Sequence, residues 1–563
     1  MRRLVLVAVA LLSSTAAFAA STTHSYLIGT KHPAAVSVAR MHGDDSPVGR
    51  NVETFGIVDA YRADLTDDEA IALRNSAEVR YVEPDIEHHA FGLPSSPASN
   101  QLRNTVGQTL PYGVKMIDAP TVWKTTRGDA INVAVLDTGI DLTHPDLQSA
   151  YAGGFNTYFG DKAFPKETSD PIDDEGHGTH VAGTIAATDN NIGVVGVAPG
   201  VRLYSVRVLH SDGNGSATGP TSKIVAGIQW VVQQKQAKGG NWIISMSLGA
   251  CAPSTTEGNA IANAINAGIL VVAASGNHDS TTAATACTGS SDDNVYGVSY
   301  PAAFPGVIAV AAVDSAVNIA DFSNFGPEVS IAGPGVSVLS TVILGTGTVA
   351  AVSTSNGKTF TANALTGSPF GTLTGTFVDC GLGATASDFP ASVSGNIALI
   401  KRGDVTFATK VKNAQAAGAT AVIIYNKDAS DLSFTLTADP ADDGHVWPIT
   451  VAVSLNDGLA LLASHASSVT IAATKDDYAN YSGTSMATPH VAAAAALVWS
   501  AVPSASAATI RDALLTTASD FGTPGFDNLF GNGLVNPFAA GRKLNPAAFP
   551  LPSVGRAPGR RGH

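Results

Sequence analysis

Three short segments, in one order, constrain this chain more than anything else in it. Ala134-Val135-Leu136-Asp137-Thr138-Gly139 ends an apolar run in an acid. Gly176-His177-Gly178-Thr179-His180-Val181-Ala182-Gly183 sets an imidazole among small residues, and Gly483-Thr484-Ser485-Met486-Ala487-Thr488-Pro489-His490 does the same for a hydroxyl. A serine hydroxyl is a poor nucleophile until a histidine takes its proton. A carboxylate must in turn hold that histidine in the right tautomer. Asp137, His177 and Ser485 are therefore the candidate orienting acid, general base and nucleophile.

The chain has 563 residues, too many for one ordinary core, so several domains are expected. Charged residues make up 14% and hydrophobic ones 45%, with 56 glycines, a compact and small-residue-rich composition. A net charge of −14 argues against nucleic acid as the main partner. Arg2 and Arg3, the apolar run at 4–12 and Ala17-Phe18-Ala19 read as a secretory signal over 1–19, placing the protein outside the cell. That run is too short to span a bilayer, and no other stretch reads as a membrane span. Export permits disulfides, and there are three cysteines, Cys251, Cys287 and Cys380, so one is left over.

Between 20 and 91 the pattern predicts a small α+β unit: a strand at 25–28, a helix at 65–74 with Thr66 and Glu69 as a capping box, and a strand ending at Pro84. Residues 92–106, rich in Ser, Pro and Asn, read as a linker. From 107 onwards, apolar strands at 131–136, 242–247, 270–274 and 307–313 alternate with helical stretches at 179–187, 224–236 and 261–267. This predicts an α/β fold with a mainly parallel sheet and helices on both faces. Ligands then bind at the C-terminal strand ends, where Asp137, Ser247 and Asn277 fall. A strand–helix–strand pattern at 395–403, 407–418 and 421–426 interrupts this scheme. A helix at 486–500 resumes it.

The order Asp…His…Ser differs from that of chymotrypsin-type enzymes and of α/β-hydrolases. Gly483-Thr484-Ser485-Met486-Ala487 also lacks the second glycine of a hydrolase nucleophile elbow. The three segments closely resemble the subtilisin-like serine proteases (subtilases), implying their three-layer fold and a secreted serine endopeptidase acting as a monomer on proteins or peptides. The unit at 20–91, ending in Tyr81-Val82-Glu83-Pro84-Asp85, resembles the inhibitory propeptide of secreted subtilases. The catalytic domain would then span 107–342 and 478–541, and a tail 542–563. The interruption at 343–477 resembles the protease-associated (PA) domain. A non-catalytic binding protein on the same fold is the competing reading, and the intact catalytic positions speak against it.

The resemblance carries further residues. Asn277, in Ala273-Ala274-Ser275-Gly276-Asn277, would donate to the developing oxyanion with the Ser485 backbone N–H. Ser247-Leu248-Gly249 and Gly213-Asn214-Gly215 would flank the substrate as strands, with Ala274, Ser275, Gly276 and Ser299 lining the pocket for the P1 residue, the one before the scissile bond. No acid stands at these positions, which favours apolar or aromatic P1 residues. Tyr300–Pro301 is expected to be cis as in the family. Structural calcium would be held by Gln108, Asp146, Thr188, Asn190, Ile192 and Val194, through side-chain and carbonyl oxygens. Cys251 and Cys287 lie in loops that flank the same pocket in the family, which implies a bridge between them. His144, His180 and His490 read as structural. Maturation is expected at Phe91–Gly92 or, after trimming, near Gly107.

Overall fold

The computed structural model describes residues 22–43, 48–91, 93–94, 107–213, 216–278, 297–403, 405–428, 435–436 and 444–551. The expected signal, Asn214, Gly215, Cys287 and most of the linker lie outside the described residues. The chain divides into two compact units, Met1–Asp85 and Ile86–His563.

In the first unit the order is strand, helix, strand, strand, helix, strand. Its sheet runs Arg50–Phe55, Ala60–Leu65, His24–Thr30, Val79–Pro84, every described pair antiparallel. The sequence pattern suggested a βαβ-like unit; a hairpin (Arg50–Phe55, Ala60–Leu65) and the helix Ala34–Gly43 correct it. The hairpin turns at residues 56–59, which reverse the chain and make its neighbours antiparallel. The second helix, Asp67–Arg74, starts as expected: Thr66 Oγ1 accepts the Glu69 N–H, and Glu69 accepts the Thr66 N–H.

The second unit is built on a seven-stranded parallel sheet in the order Ile331–Pro334, Ile308–Val313, Ile269–Ala274, Asn241–Met246, Ile131–Asp137, Arg202–Arg207, Tyr151–Asn156. The central strands are continuous hydrophobic runs, because both of their faces are covered. Val133, Val135, Ile243, Val272 and Val310 point to one side, into a core shared with the helices His177–Ala186 and Thr484–Ala501. The opposite face receives the helix Thr221–Lys238. There Gly227 lets the helix approach, since a Cβ would meet Val208, Val206 and Leu136. This is the expected three-layer α/β architecture. The strands Tyr151–Asn156 and Arg202–Arg207 were not read from the sequence; the first holds two glycines and is only partly buried. At the C-terminal end, the helix Pro537–Leu544 runs across the boundary expected at 541, and Phe549 is buried in the same core.

The interruption forms its own eight-stranded sheet: Gly371–Gly375, Val469–Asp476, Gly347–Thr354, Thr359–Ala364, Ile449–Val453, Ala421–Tyr425, Ile397–Lys401, Phe377–Asp379. Its apolar clusters are separate from that of the seven-stranded sheet. Its first and last-formed long strands, Gly347–Thr354 and Val469–Asp476, pair antiparallel along their whole length. Among the described residues no helix is long and apolar enough to cross a membrane.

Candidate active site

Asp137 is the last residue of its strand, and His177 the first of its helix. Their Oδ1 and Nδ1 atoms lie 2.8 Å apart, and both side chains are buried. Small residues make this approach possible. A Cβ on Gly178 would meet the Gly139 carbonyl, the Thr138 hydroxyl and Asp137 Cβ. The Gly178 N–H donates to Thr138 Oγ1, which locks the strand end to the helix start. Asp173 caps that helix. Its oxygens accept the N–H groups of Glu175, Gly176 and Thr179 and the Thr179 hydroxyl. The helix dipole favours a carboxylate there.

Two opposing effects set the charge of His177. Burial lowers its pKa, but the charge and hydrogen bond of Asp137, with Glu175 and Asp173 behind, outweigh it and raise the pKa above the ordinary histidine value. His177 Nε2 is buried without a hydrogen-bond partner.

Ser485 is the second residue of its helix, at the positive end of the dipole. Its hydroxyl donates to the Ser247 carbonyl at 2.8 Å, and the Ser247 hydroxyl donates back to the Ser485 carbonyl at 2.8 Å. Pro489 explains why that carbonyl is available. Four residues on, it has no N–H to close the helical bond. Asn277 follows the strand Ile269–Ala274. Its Oδ1 accepts the Thr484 N–H and hydroxyl at 3.0 and 2.8 Å, which turns its Nδ2 the other way.

That nitrogen donates to the carbonyl of Phe91, at 2.7 Å. The chain's own residues occupy the cleft. Glu87–Ala90 is an antiparallel strand between Ala217–Pro220 on one side and Leu248–Gly249 on the other. Phe91 N–H donates to Ser485 Oγ at 3.0 Å. Beyond the undescribed Gly92, Leu93–Pro94 pairs with Tyr481 and Ser482. Leu248 and Gly249, expected beside a substrate, here flank the chain's own strand. The opposite partner is Ala217–Pro220, downstream of the expected Gly213-Asn214-Gly215; Gly213 is exposed. The Phe91 ring lies over Gly249, where a Cβ would come within 2.8 Å of it. Ser275 and Ser299 are joined by a backbone bond, Ser275 Oγ donates to the Asn324 carbonyl, and Ala250 pairs with Tyr300. The Tyr300–Pro301 peptide is cis, as expected.

Five of the six loop residues expected to hold metal lie close together, while Ile192 is joined to them through its N–H, which donates to Asn190 Oδ1. One atom, Gln108 Nε2, lies 2.7 Å from the Thr188 carbonyl, 3.0 Å from that of Val194 and 3.4 Å from Asn190 Oδ1. Three oxygens thus surround one atom, and carbonyl and amide oxygens are the kind of ligand calcium takes. A flip of the amide would add its own oxygen to the set. Asp146 borders it, accepting from Asn190 Nδ2, the Val194 N–H and the Tyr478 hydroxyl.

The comparisons with known proteins agree with this geometry. The subtilase family model (Peptidase_S8) matches residues 128–377 and 391–533. Subtilisin E of Bacillus subtilis (strain 168) is 37% identical over 338 residues, 60% of this chain and 77% of that protein. The major intracellular serine protease of the same organism is 45% identical over 235 residues, 41% of this chain and 67% of that protein. The crystal structure of Apa1, a psychrophilic subtilisin-like protease from the Antarctic psychrotroph Pseudoalteromonas sp. AS-11, matches with a TM-score of 0.58 and 31% identity, covering 78% of this chain and 99% of that one. Fold and site define a serine endopeptidase. The chain belongs to the subtilase family.

Proposed function

We propose that the chain is a secreted zymogen that cuts itself after Phe91 and then cleaves other proteins after apolar or aromatic residues. The observation that carries this is the Phe91 carbonyl held on Asn277 Nδ2 beside Ser485, with the preceding residues paired as an added strand. Ser485 Oγ attacks that carbonyl carbon. To do so, its hydroxyl leaves the Ser247 carbonyl and gives its proton to His177 Nε2, the buried nitrogen without a partner. Asp137 holds the ring and supports the imidazolium. Asn277 Nδ2 and the Ser485 backbone N–H stabilise the oxyanion. His177 then protonates the leaving amine, and water releases the acyl group by the same route. After the first cut, residues 20–91 act as an inhibitor because their last strand occupies the cleft.

Gln108, Asp146, Thr188, Asn190, Ile192 and Val194 would hold a structural calcium ion, which lends this loop cluster rigidity and takes no part in the chemistry. Chelation should then lower Tm, since an ion bound only by the folded state stabilises it; calorimetry with and without EDTA reads this. Residues 343–477 act as a PA domain, bearing on substrate access or protein contacts. Cys380 is a buried free thiol in that domain. This leaves Cys251 and Cys287 as the pair for a bridge beside the P1 pocket.

The decisive experiment is Ser485→Ala expressed in a protease-deficient host. The precursor should accumulate uncut, whereas wild-type enzyme should show a new N-terminus at Gly92 or, after trimming, near Gly107. A processed Ser485→Ala chain would refute self-cleavage.

A further inference from the structure

The strand that presents Phe91 fixes a second side chain in a chemically distinct pocket. Counting back from Phe91, His88 is the fourth residue on the acyl side, the P4 position. Its backbone pairs with Gly219. Its Nε2 lies 3.0 Å from Oε1 of Glu257, and the two side chains are only 1% and 0% exposed. Glu257 is the third residue of the helix Thr255–Asn266, and its N–H is capped by the Ser254 hydroxyl. A helix dipole favours an acid in the first turn. It does not account for one removed from water, because a carboxylate is buried at tolerable cost only with a donor or a positive charge beside it. Here the substrate-like strand brings that partner. The second oxygen, Glu257 Oε2, is buried with no hydrogen-bond partner, so the pocket can accept one more donor.

We propose that Glu257 determines specificity at P4, selecting a hydrogen-bond-donating and preferably cationic side chain, imidazole or guanidinium, over an aliphatic one. This rests on the reading of residues 86–91 as a substrate-like strand. An aliphatic P4 side chain would seal both carboxylate oxygens against hydrocarbon with nothing to bond. Sites built around such a polar group reject partners lacking the complement far more strongly than apolar pockets distinguish hydrocarbons of different size. Histidine satisfies one oxygen. Arginine, with its forked donors, satisfies both. The enzyme therefore reads two features three positions apart, an aromatic group at P1 and a donor at P4.

The test uses enzyme produced by expressing the full chain, and peptides with Phe at P1 that differ only at P4: His, Arg, Ala or Leu. In wild type, kcat/KM for the His and Arg peptides should exceed that for the Leu peptide by about tenfold or more. Glu257→Leu should reverse the order, and Glu257→Gln, nearly isosteric, should remove the advantage of Arg while retaining part of that of His. Equal or faster cleavage of the Leu peptide by wild type would overturn the proposal, and this arm needs no variant to fold. An unchanged Arg-to-Leu ratio in Glu257→Leu would overturn it as well. Cleavage of the whole series after Phe at one rate would defeat the P4 proposal alone. Cleavage at other bonds with Phe ignored would defeat the substrate-strand reading, and the P4 proposal with it.

Discussion

His177 and His180 stand one helical turn apart, both buried, and their surroundings push them in opposite directions. On the side of His177, burial is outweighed by Asp137, Glu175 and Asp173, and its pKa rises. On the side of His180, burial dominates, the charge of His177 adds to it, and the pKa falls to about 3. The groups His180 meets are neutral: the carbonyls of Val338 and Ala479, both near Nε2, and the stacked ring of Tyr481. A carbonyl dipole fixes a neutral tautomer, whereas a carboxylate also supports a full charge. Proximity to the catalytic centre therefore does not make a histidine catalytic; the charge of what faces it does.

Removing that charge should have the largest effect. Asp137→Asn keeps the shape of the site but abolishes its support for imidazolium, and kcat should fall by about 10⁴-fold. A fall of less than tenfold in steady-state assays would break the contrast between the two histidines.

A smaller effect concerns stability. The folded-state pKa of His180 lies below the unfolded value of about 6.5, so between the two only the unfolded chain binds the proton. Stability is then lost as pH falls from about 6.5 toward 3, by up to about 1.4 kcal/mol per pH unit for this one group. His490, lowered by burial to about 4, adds a similar loss. His177 has the opposite sign: its contribution is full below the unfolded pKa and is lost as pH rises through the folded one. In the Ser485→Ala background, which cannot digest itself, Tm should drop between pH 6.5 and 4. His180→Asn should flatten that drop, leaving the share of His490. An unchanged slope would show that His180 is not the titrating group.

The smallest effect sharpens the other side. Glu175 accepts the His177 backbone N–H, and its charge helps to raise the ring's pKa. The acid limb of kcat/KM should lie above pH 6.5, since the base works only when neutral. Glu175→Gln keeps an acceptor but removes the charge, and should move that limb down by a fraction of a pH unit. A pH–rate profile of both enzymes reads the shift.

Much of the site was legible because its parts are local. Asp137 ends an apolar run, His177 and Ser485 open helices, and each carries its small-residue frame within a few positions. The capping box at Thr66 and Glu69 was legible for the same reason. What was missed depends on partners distant in the chain. Ala217–Pro220 looks like any short loop until Glu87–Ala90 pairs with it. Glu257 has an ordinary explanation as a first-turn acid, and only the threaded strand gives its burial a meaning. Of the eight-stranded sheet, the helix and adjoining strands stood out. The antiparallel half, with partly exposed strands that alternate between buried and exposed residues, did not, because its burial pattern arises only once the partners meet.

The pairing of Gly347–Thr354 with Val469–Asp476 has a consequence for how this gene product tolerates its extra sheet. Adjacent strands lie about 5 Å apart. The surrounding enzyme therefore meets a long excursion of the polypeptide as though it were a hairpin bend. Closing so long a loop would cost conformational entropy if its ends were free. Here the seam, once formed, meets that cost within the excursion itself. The sheet thus leaves and rejoins the rest of the chain through two strands held side by side, while the machinery that cuts peptides keeps its own helices and strands.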